Sequence, residues 1–351
     1  MPKLGRSYFP SFRLLLISKI VFSKMKVLIT GGVGYLGSAL TAYLLEKKMQ
    51  VVVYDKLLFG AEGISSFLPH PNFRLVVGDI RDTQALKAAC GQVTAIVHLA
   101  ALVGETACEV DRQATSAINS EATLGLAKIA AKIGIKRMIF SSTCSNYGLV
   151  DRETLACEDT PLKPLSLYAQ TKIAAEKSLQ EISQGKLAIC ILRFGTICGV
   201  SARMRFNLLI NDLARRAASG RDISIFAPRA WRPFLHINDA VGVIYRCLTA
   251  PSAKISGEIF NVVSENCQKQ KLIKLTHKYF PRAKVEVRPG KSDPRDYRVS
   301  GAHVGRKLKF LPKHGVEEAF VEVATAVKNG LWSDPFRDIY EAVPTKHQLK
   351  K

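Results

Sequence analysis

The eight cysteines of this sequence include no C-x-x-C pair and its seven histidines are dispersed, so neither a zinc cluster nor a disulfide framework is written into it. No metal is expected, and unpaired thiols place the chain in the cytoplasm by expectation. No internal repeat and no low-complexity segment is present. Acids are scarce: 29 Asp plus Glu stand against 51 Lys plus Arg, a formal charge of +22. Such an excess suits nucleic acid, a membrane surface or an anionic small substrate. The positive residues are scattered through both halves, with no basic run interleaved by aromatics. They therefore read as a basic solvated surface with a few side chains aimed at phosphates. What remains is a globular composition: 351 residues, 47% hydrophobic and 23% charged, enough for one large or two modest domains.

Residues 1–24 stand apart. Arg6, Arg13, Lys19 and Lys24 accompany the apolar run Leu14 to Ile17, and no acid occurs. The run is too short and too interrupted to span a bilayer, so stable membrane insertion is not expected. With Met25 just before the first strand signal, the segment reads as a dispensable, disordered extension.

The chain is organised around KVLITGGVGYLGSAL, Lys26 to Leu40. An apolar run, Val27 to Ile29, has the continuous character of a strand buried on both faces; it breaks at Gly31 and Gly32 and resumes with helical spacing. Gly32, Gly34 and Gly37 satisfy G-x-G-x-x-G. In that pattern bare backbone lets a dinucleotide's pyrophosphate lie against the N-terminus of the following helix. Strand and helix signals then alternate. VVVYD at 51–55 and Phe73 to Val77 read as strands, Thr83 to Cys90 as helix, and Thr94 to His98 as strand. A long helical stretch, Ala114 to Lys132, precedes MIFSS at 138–142, and another, Leu167 to Ser183, precedes LAICILRF at 187–194. This alternation predicts an α/β fold, a doubly wound parallel sheet of the Rossmann type. Asp55, at the end of the second strand and about twenty residues past the glycines, is placed to accept hydrogen bonds from an adenosine ribose. A carboxylate there favours NAD over NADP, although the neighbouring Lys56 leaves NADP open.

From Lys26 to about Ser300 the chain resembles the extended short-chain dehydrogenase/reductases of the NAD-dependent epimerase/dehydratase family, which includes sugar-nucleotide enzymes such as UDP-glucose 4-epimerase. The motifs that carry the resemblance stand in the family's order: TGGVGYLG at 30–37, GDIRD at 78–82, HLAALVG at 98–104, Asn119, SSTCSNYG at 141–148, YAQTK at 168–172, LRFGTICG at 192–199 and RPFLHINDA at 232–240. Four residues apart on a helix, Tyr168 and Lys172 share one face, where an ammonium can lower a phenol's pKa and also reach the nicotinamide ribose. The resemblance makes Tyr168 the acid/base, with Thr143 holding the same substrate oxygen.

The same likeness assigns cofactor contacts to Gly31, Gly34, Tyr35, Leu36, Gly37, Asp55, Asp79, Ile80, Leu99, Ala100 and Ala101, besides Tyr168 and Lys172. Asn119 is expected to hold strand ends together. It implies a cofactor-binding domain over 25–194 with 238–262 returning to it, a smaller α/β substrate-binding part over 195–237 and 263–343, and a disordered basic tail over 344–351. Substrate contacts fall to Thr143, Asn207, Arg232 and Arg295, with Arg288 a further candidate for clamping a pyrophosphate. A homodimer is implied through the two long helices.

Departures from the family narrow the reaction. Sugar-nucleotide dehydratases carry Asp-Glu directly after the catalytic Thr, where this chain has Cys144 and Ser145, so elimination of water is not expected. A 4-epimerase, a C3/C5 epimerase and a 4-keto-sugar reductase remain. Cys144 is a candidate acid/base by its position beside Thr143, against the simpler reading of a small buried side chain. The stretch SDPRDYRVS at 292–300 resembles one in bacterial members that build deoxysugars for surface polysaccharide. The non-enzymatic alternative, an NAD-sensing or RNA-binding relative, sits poorly with an intact Tyr168 and Lys172.

Overall fold

The computed structural model describes residues 25–183, 185–288 and 295–350. The expectations for residues 1–24, and for the start of the 292–300 motif, lie outside this range. Seven strands form one parallel sheet: β1 (Lys26–Thr30), β2 (Gln50–Asp55), β3 (Phe73–Val77), β4 (Ala95–His98), β5 (Arg137–Thr143), β6 (Ala188–Phe194) and β7 (Glu258–Val262), in the order β7-β6-β5-β4-β1-β2-β3. The order reverses between β1 and β4, the switch point at which open α/β sheets bind ligands beyond their strand ends. The apolar runs lack alternation because both faces are covered. Val27, Ile29, Val51, Val53, Val97 and Leu192 enter one core, while Leu28, Val52, Tyr54, Ile96, Phe140 and Ile191 enter the other.

Beyond β6 the chain builds a smaller α/β part. Thr196–Cys198, Trp231–His236 and Glu265–Gln268 form a three-stranded sheet, and Ile223–Phe226 pairs in parallel with Val285–Arg288. β7 pairs with β6 after this excursion, returning the chain to the main sheet. No described helix is long and apolar enough to cross a membrane.

The expected helical stretch Ala114 to Lys132 is present and carries one irregularity: Arg112–Ser116 and Ala122–Lys132 are α-helical, and Ala117–Glu121 between them is a turn of π-helix. The wider turn places Asn119 so that its Oδ1 accepts from Leu102 N at 2.8 Å while its Nδ2 donates to Leu102 O at 2.9 Å and Thr171 Oγ1 at 3.2 Å. The basic tail needs correction. Lys346–Lys350 is a helical turn whose Leu349 is 1% exposed, because that leucine packs into the core that also holds Ile80 and Tyr54.

Candidate active site

The helix α1 (Tyr35–Glu46) begins at Gly34 with no side-chain cap, so its first N–H groups are left for a ligand. Close approach explains the glycines before it. A Cβ on Gly37 would lie 2.3 Å from Gly31 O and 2.6 Å from Gly32 Cα, and Gly31, at φ +72°, would bring one to 2.7 Å from Ala100 N. The turn is thus pressed between β1, β4 and α1, and its exposed side faces a cavity of about 620 Å³. Gly31, Gly34, Tyr35, Leu36 and Gly37 line one wall, with Leu99, Ala100 and Ala101 beside them.

Asp55, Asp79 and Ile80 line the end of the cavity beyond β2 and β3. The carboxylate of Asp55 accepts from Val33 N at 3.0 Å and Leu57 N at 2.8 Å, and burial raises its pKa against those two hydrogen bonds. Asp79 is held by Arg81 and by Lys56, 2.6 Å and 2.7 Å away. Although burial alone would raise it, these cations hold its carboxyl well below the usual range. Lys56, which left NADP open in the sequence, is therefore already paired.

At the other end stand the chemical groups. Tyr168 and Lys172 lie on α2 (Leu167–Ile182), which Ser166 caps by accepting from Ala169 N at 3.3 Å, and Thr143 is the last residue of β5. The three line the cavity together, and the Thr143 hydroxyl favours the ionised form of the Tyr168 phenol. Lys172 is 2% exposed, donates to Ser141 O at 2.8 Å and sits 4.6 Å from the Phe140 ring centroid; burial pulls its pKa down to about 8. Burial also pushes the Tyr168 phenol above its ordinary range, against the pull of Arg205 and then of the Thr143 hydroxyl. The sequence-based expectation gave the charge effect to Lys172, yet the foremost cation acting on the phenol is Arg205. The ammonium faces Ser141 and Phe140.

Arg205, which no motif singled out, comes from the loop after Cys198, lines the cavity and donates from Nε to Asn207 Oδ1 at 3.3 Å. Burial lowers its own pKa, and no described carboxylate is ion-paired with it. Nearby, Arg232 is 6% exposed and lines the cavity with Lys269 and Arg295; the last lies 3.3 Å from Glu105. Tyr297, also missed, lines this region, with its pKa pushed up to about 12 by burial. Asn207 reaches the same wall, its Nδ2 donating to Glu341 O at 2.5 Å.

Two sequence candidates are not brought to the cavity. Cys144 is 1% exposed in a small cluster with Tyr147 and Tyr297, and its thiol donates to Arg193 O at 3.2 Å. Burial pushes that thiol far above the ordinary range, so the smaller reading of Cys144 as packing prevails. Arg288 is exposed and pairs with Glu286 at 2.7 Å, outside the cavity lining.

This geometry joins an open helix N-terminus, the Asp55 carboxylate and a Thr-Tyr-Lys set within one cavity. The NAD dependent epimerase/dehydratase family matches residues 27–262.

The chain belongs to this family. A UDP-glucose 4-epimerase of Corynebacterium glutamicum is 27% identical over 330 residues, 88% of this chain and 97% of that protein. An uncharacterized UDP-glucose epimerase of Bacillus subtilis is 29% identical over 248 residues, 68% of this chain and 76% of that one. Among solved structures, UDP-glucuronic acid 4-epimerase from Bacillus cereus, in complex with UDP-glucuronic acid and NAD, superposes with a TM-score of 0.79 at 23% identity, covering 88% of this chain and 100% of that one. UDP-glucose 4-epimerase from Thermotoga maritima with UDP-glucose gives 0.78 at 22%, again over 88% and 100%. At that identity the likeness establishes the fold. The cofactor of the family is NAD, and the cavity fits it: a Cβ-intolerant glycine turn, uncapped N–H groups and Asp55 lie in sequence along one wall.

Proposed function

We propose that this chain is an NAD-dependent nucleotide-sugar epimerase that inverts a sugar carbon, C4, by transient oxidation. The observation that carries this reading is Thr143 and Tyr168 lining one cavity with buried Lys172, opposite a far wall that suits the dinucleotide. NAD bound there supplies the hydride acceptor. Thr143 holds the sugar hydroxyl, and the Tyr168 phenolate takes its proton as the C4 hydrogen leaves. Arg205 offsets part of the cost of ionising the buried phenol. Lys172, fixed by Ser141, keeps the helix face that carries Tyr168 against β5. After the keto sugar turns, Tyr168 returns the proton to the same oxygen, so the enzyme ends unchanged.

Elimination finds no support in the lining. The described carboxylates there are Asp55 and Asp79, at the end with the glycine turn, and Glu105, which pairs with Arg295. Arg232 and Arg295 are suited to clamping the diphosphate of the nucleotide sugar. Pairing of copies through the faces of residues 112–132 and α2 is part of the same proposal. The test is a panel of UDP- and dTDP-sugars assayed by NMR for epimer formation, with Tyr168→Phe in parallel. Wild-type conversion abolished in a variant that still binds NAD supports the reading; full activity in the variant sinks it.

A further inference from the structure

Residues 335–350 cross from the smaller part of the molecule to the far end of the cavity and are anchored at both ends. On the first side the ties are to backbone carbonyls. Arg215 donates to Pro335 O at 3.0 Å, Arg203 to Ile339 O at 2.6 Å, and Phe206 N to Tyr340 O at 3.1 Å. The Phe206 ring also stands edge-on to Tyr340 at 5.4 Å. The chain turns at Ala342, in the left-handed region at φ 53°, and Ala342 and Val343 then line the cavity.

At the other side, α3 (Lys346–Lys350) is set by a capping box: Gln348 N donates to Thr345 Oγ1 at 3.3 Å, and Thr345 N donates to Gln348 Oε1 at 2.8 Å. Its last turn docks on the loops after β2 and β3. Gln348 Nε2 donates to Leu58 O at 2.9 Å, and Arg81 Nη2 donates to Leu349 O at 2.8 Å. The same Arg81 grips Asp79, so one guanidinium ties α3 to the adenosine end of the cavity. Leu349 is buried in the core that also holds Ile80, and it lines the cavity.

A helical turn of five residues is far too short to persist by itself, so its position depends on Leu349 and the Arg81 contact. Leu349, with Ala342 and Val343, closes part of the lining at this end. We propose that Leu349 is a cofactor-retaining residue and that segment 335–350 is a strap forming the outer wall of the adenosine subsite, holding NAD through successive turnovers. This rests on the cavity's holding NAD, which an epimerase that returns the hydride must keep. The strap's near anchors, Arg203 and Phe206, flank Arg205, so the wall over the adenosine end and the cation beside Tyr168 share one loop.

The experiment compares the full chain, a chain ending at Val343, Leu349→Ser, and Lys87→Ala as an exposed control outside the strap and the cavity lining. It measures NAD co-purified per chain and the rate of NAD release into excess unlabelled NAD, with folding checked by circular dichroism. Both strap variants are expected to release NAD about tenfold faster or more, the factor that exposing one buried leucine supports, and Lys87→Ala is expected to match the wild type. Should the shortened chain fail to fold, Leu349→Ser decides alone. Equal release rates from wild type and folded strap variants overturn the strap and leave the cofactor site standing. A full chain that binds no NAD overturns both.

Discussion

Replacing Glu176 by Gln removes one charge from a buried pair and leaves its shape. Glu176 lies one helical turn beyond Lys172, and Arg193 sits on β6; their side chains are 3% and 4% exposed. Arg193 Nη2 lies 2.7 Å from Oε2, and Nε donates to Oε1 at 3.1 Å. Ser142 and Asn146 also donate to Oε1, and Arg193 reaches Tyr147 OH and Glu158 O at 3.0 and 3.2 Å. Hydrogen bonds to Glu176 raise the guanidinium pKa despite its burial, and an arginine does not escape by deprotonating. Glu176→Gln therefore strands a cation, at a cost of about 3–5 kcal/mol. Against a total stability of about 5–15 kcal/mol that is a large share. The urea midpoint should fall by about 1 M or more, for a slope of about 1–3 kcal/mol per molar. Glu176→Leu with Arg193→Met should recover most of the loss, since apolar replacements of a whole buried pair are often neutral. A cost below about 1 kcal/mol for Glu176→Gln, the scale of a surface pair, refutes the reasoning. Ser142 immediately precedes Thr143, so the same network sets the strand end that carries the hydroxyl beside Tyr168.

Acid should weaken the fold through His98, which is fully buried between Thr30 Oγ1 at 2.6 Å and Thr123 Oγ1 at 2.8 Å. Burial first, then the Lys172 charge, pulls its pKa down to about 3. The unfolded chain, with a histidine near 6.5, binds the proton more readily, so this contribution is complete above about pH 6.5 and is lost as pH falls toward about 3, amounting to about 2 kcal/mol at pH 5. In His98→Gln the urea midpoint should shift less between pH 7 and pH 5 than in the wild type; an unchanged shift contradicts the assignment. Gly37→Ala places a methyl 2.3 Å from Gly31 O, which only a backbone movement relieves, and should cost about 1–3 kcal/mol together with most of the NAD affinity. A fluorescence titration showing wild-type affinity in that variant would rule out the close packing of the turn.

The strands were legible because burial on both faces leaves continuous apolar runs, as in 51–55 and 187–194. Gly37 and the Tyr168–Lys172 spacing were legible for the same reason: each is a local pattern with a local geometric consequence. Tertiary facts were not. The π-turn that aims Asn119 is a small widening that a periodic pattern averages away. Arg205 comes from a loop with no period to read, and its reach to Tyr168 depends on how the smaller part folds back. The turn of Cys144 away from the cavity was likewise invisible, since neighbours on a chain need not share a direction. Thr345-x-x-Gln348 is a capping box, but the burial of Leu349 that fixes it is a contact across most of the chain.

The central claim is that the hydrogen on one sugar carbon leaves and returns to that carbon while Tyr168 handles only the hydroxyl proton. It is tested most directly with a nucleotide sugar carrying deuterium at C4, turned over in ordinary water. The account predicts an epimer that keeps its deuterium at C4 and gains no solvent hydrogen on carbon. Loss of the label to water, or solvent hydrogen at C3 or C5, would contradict it.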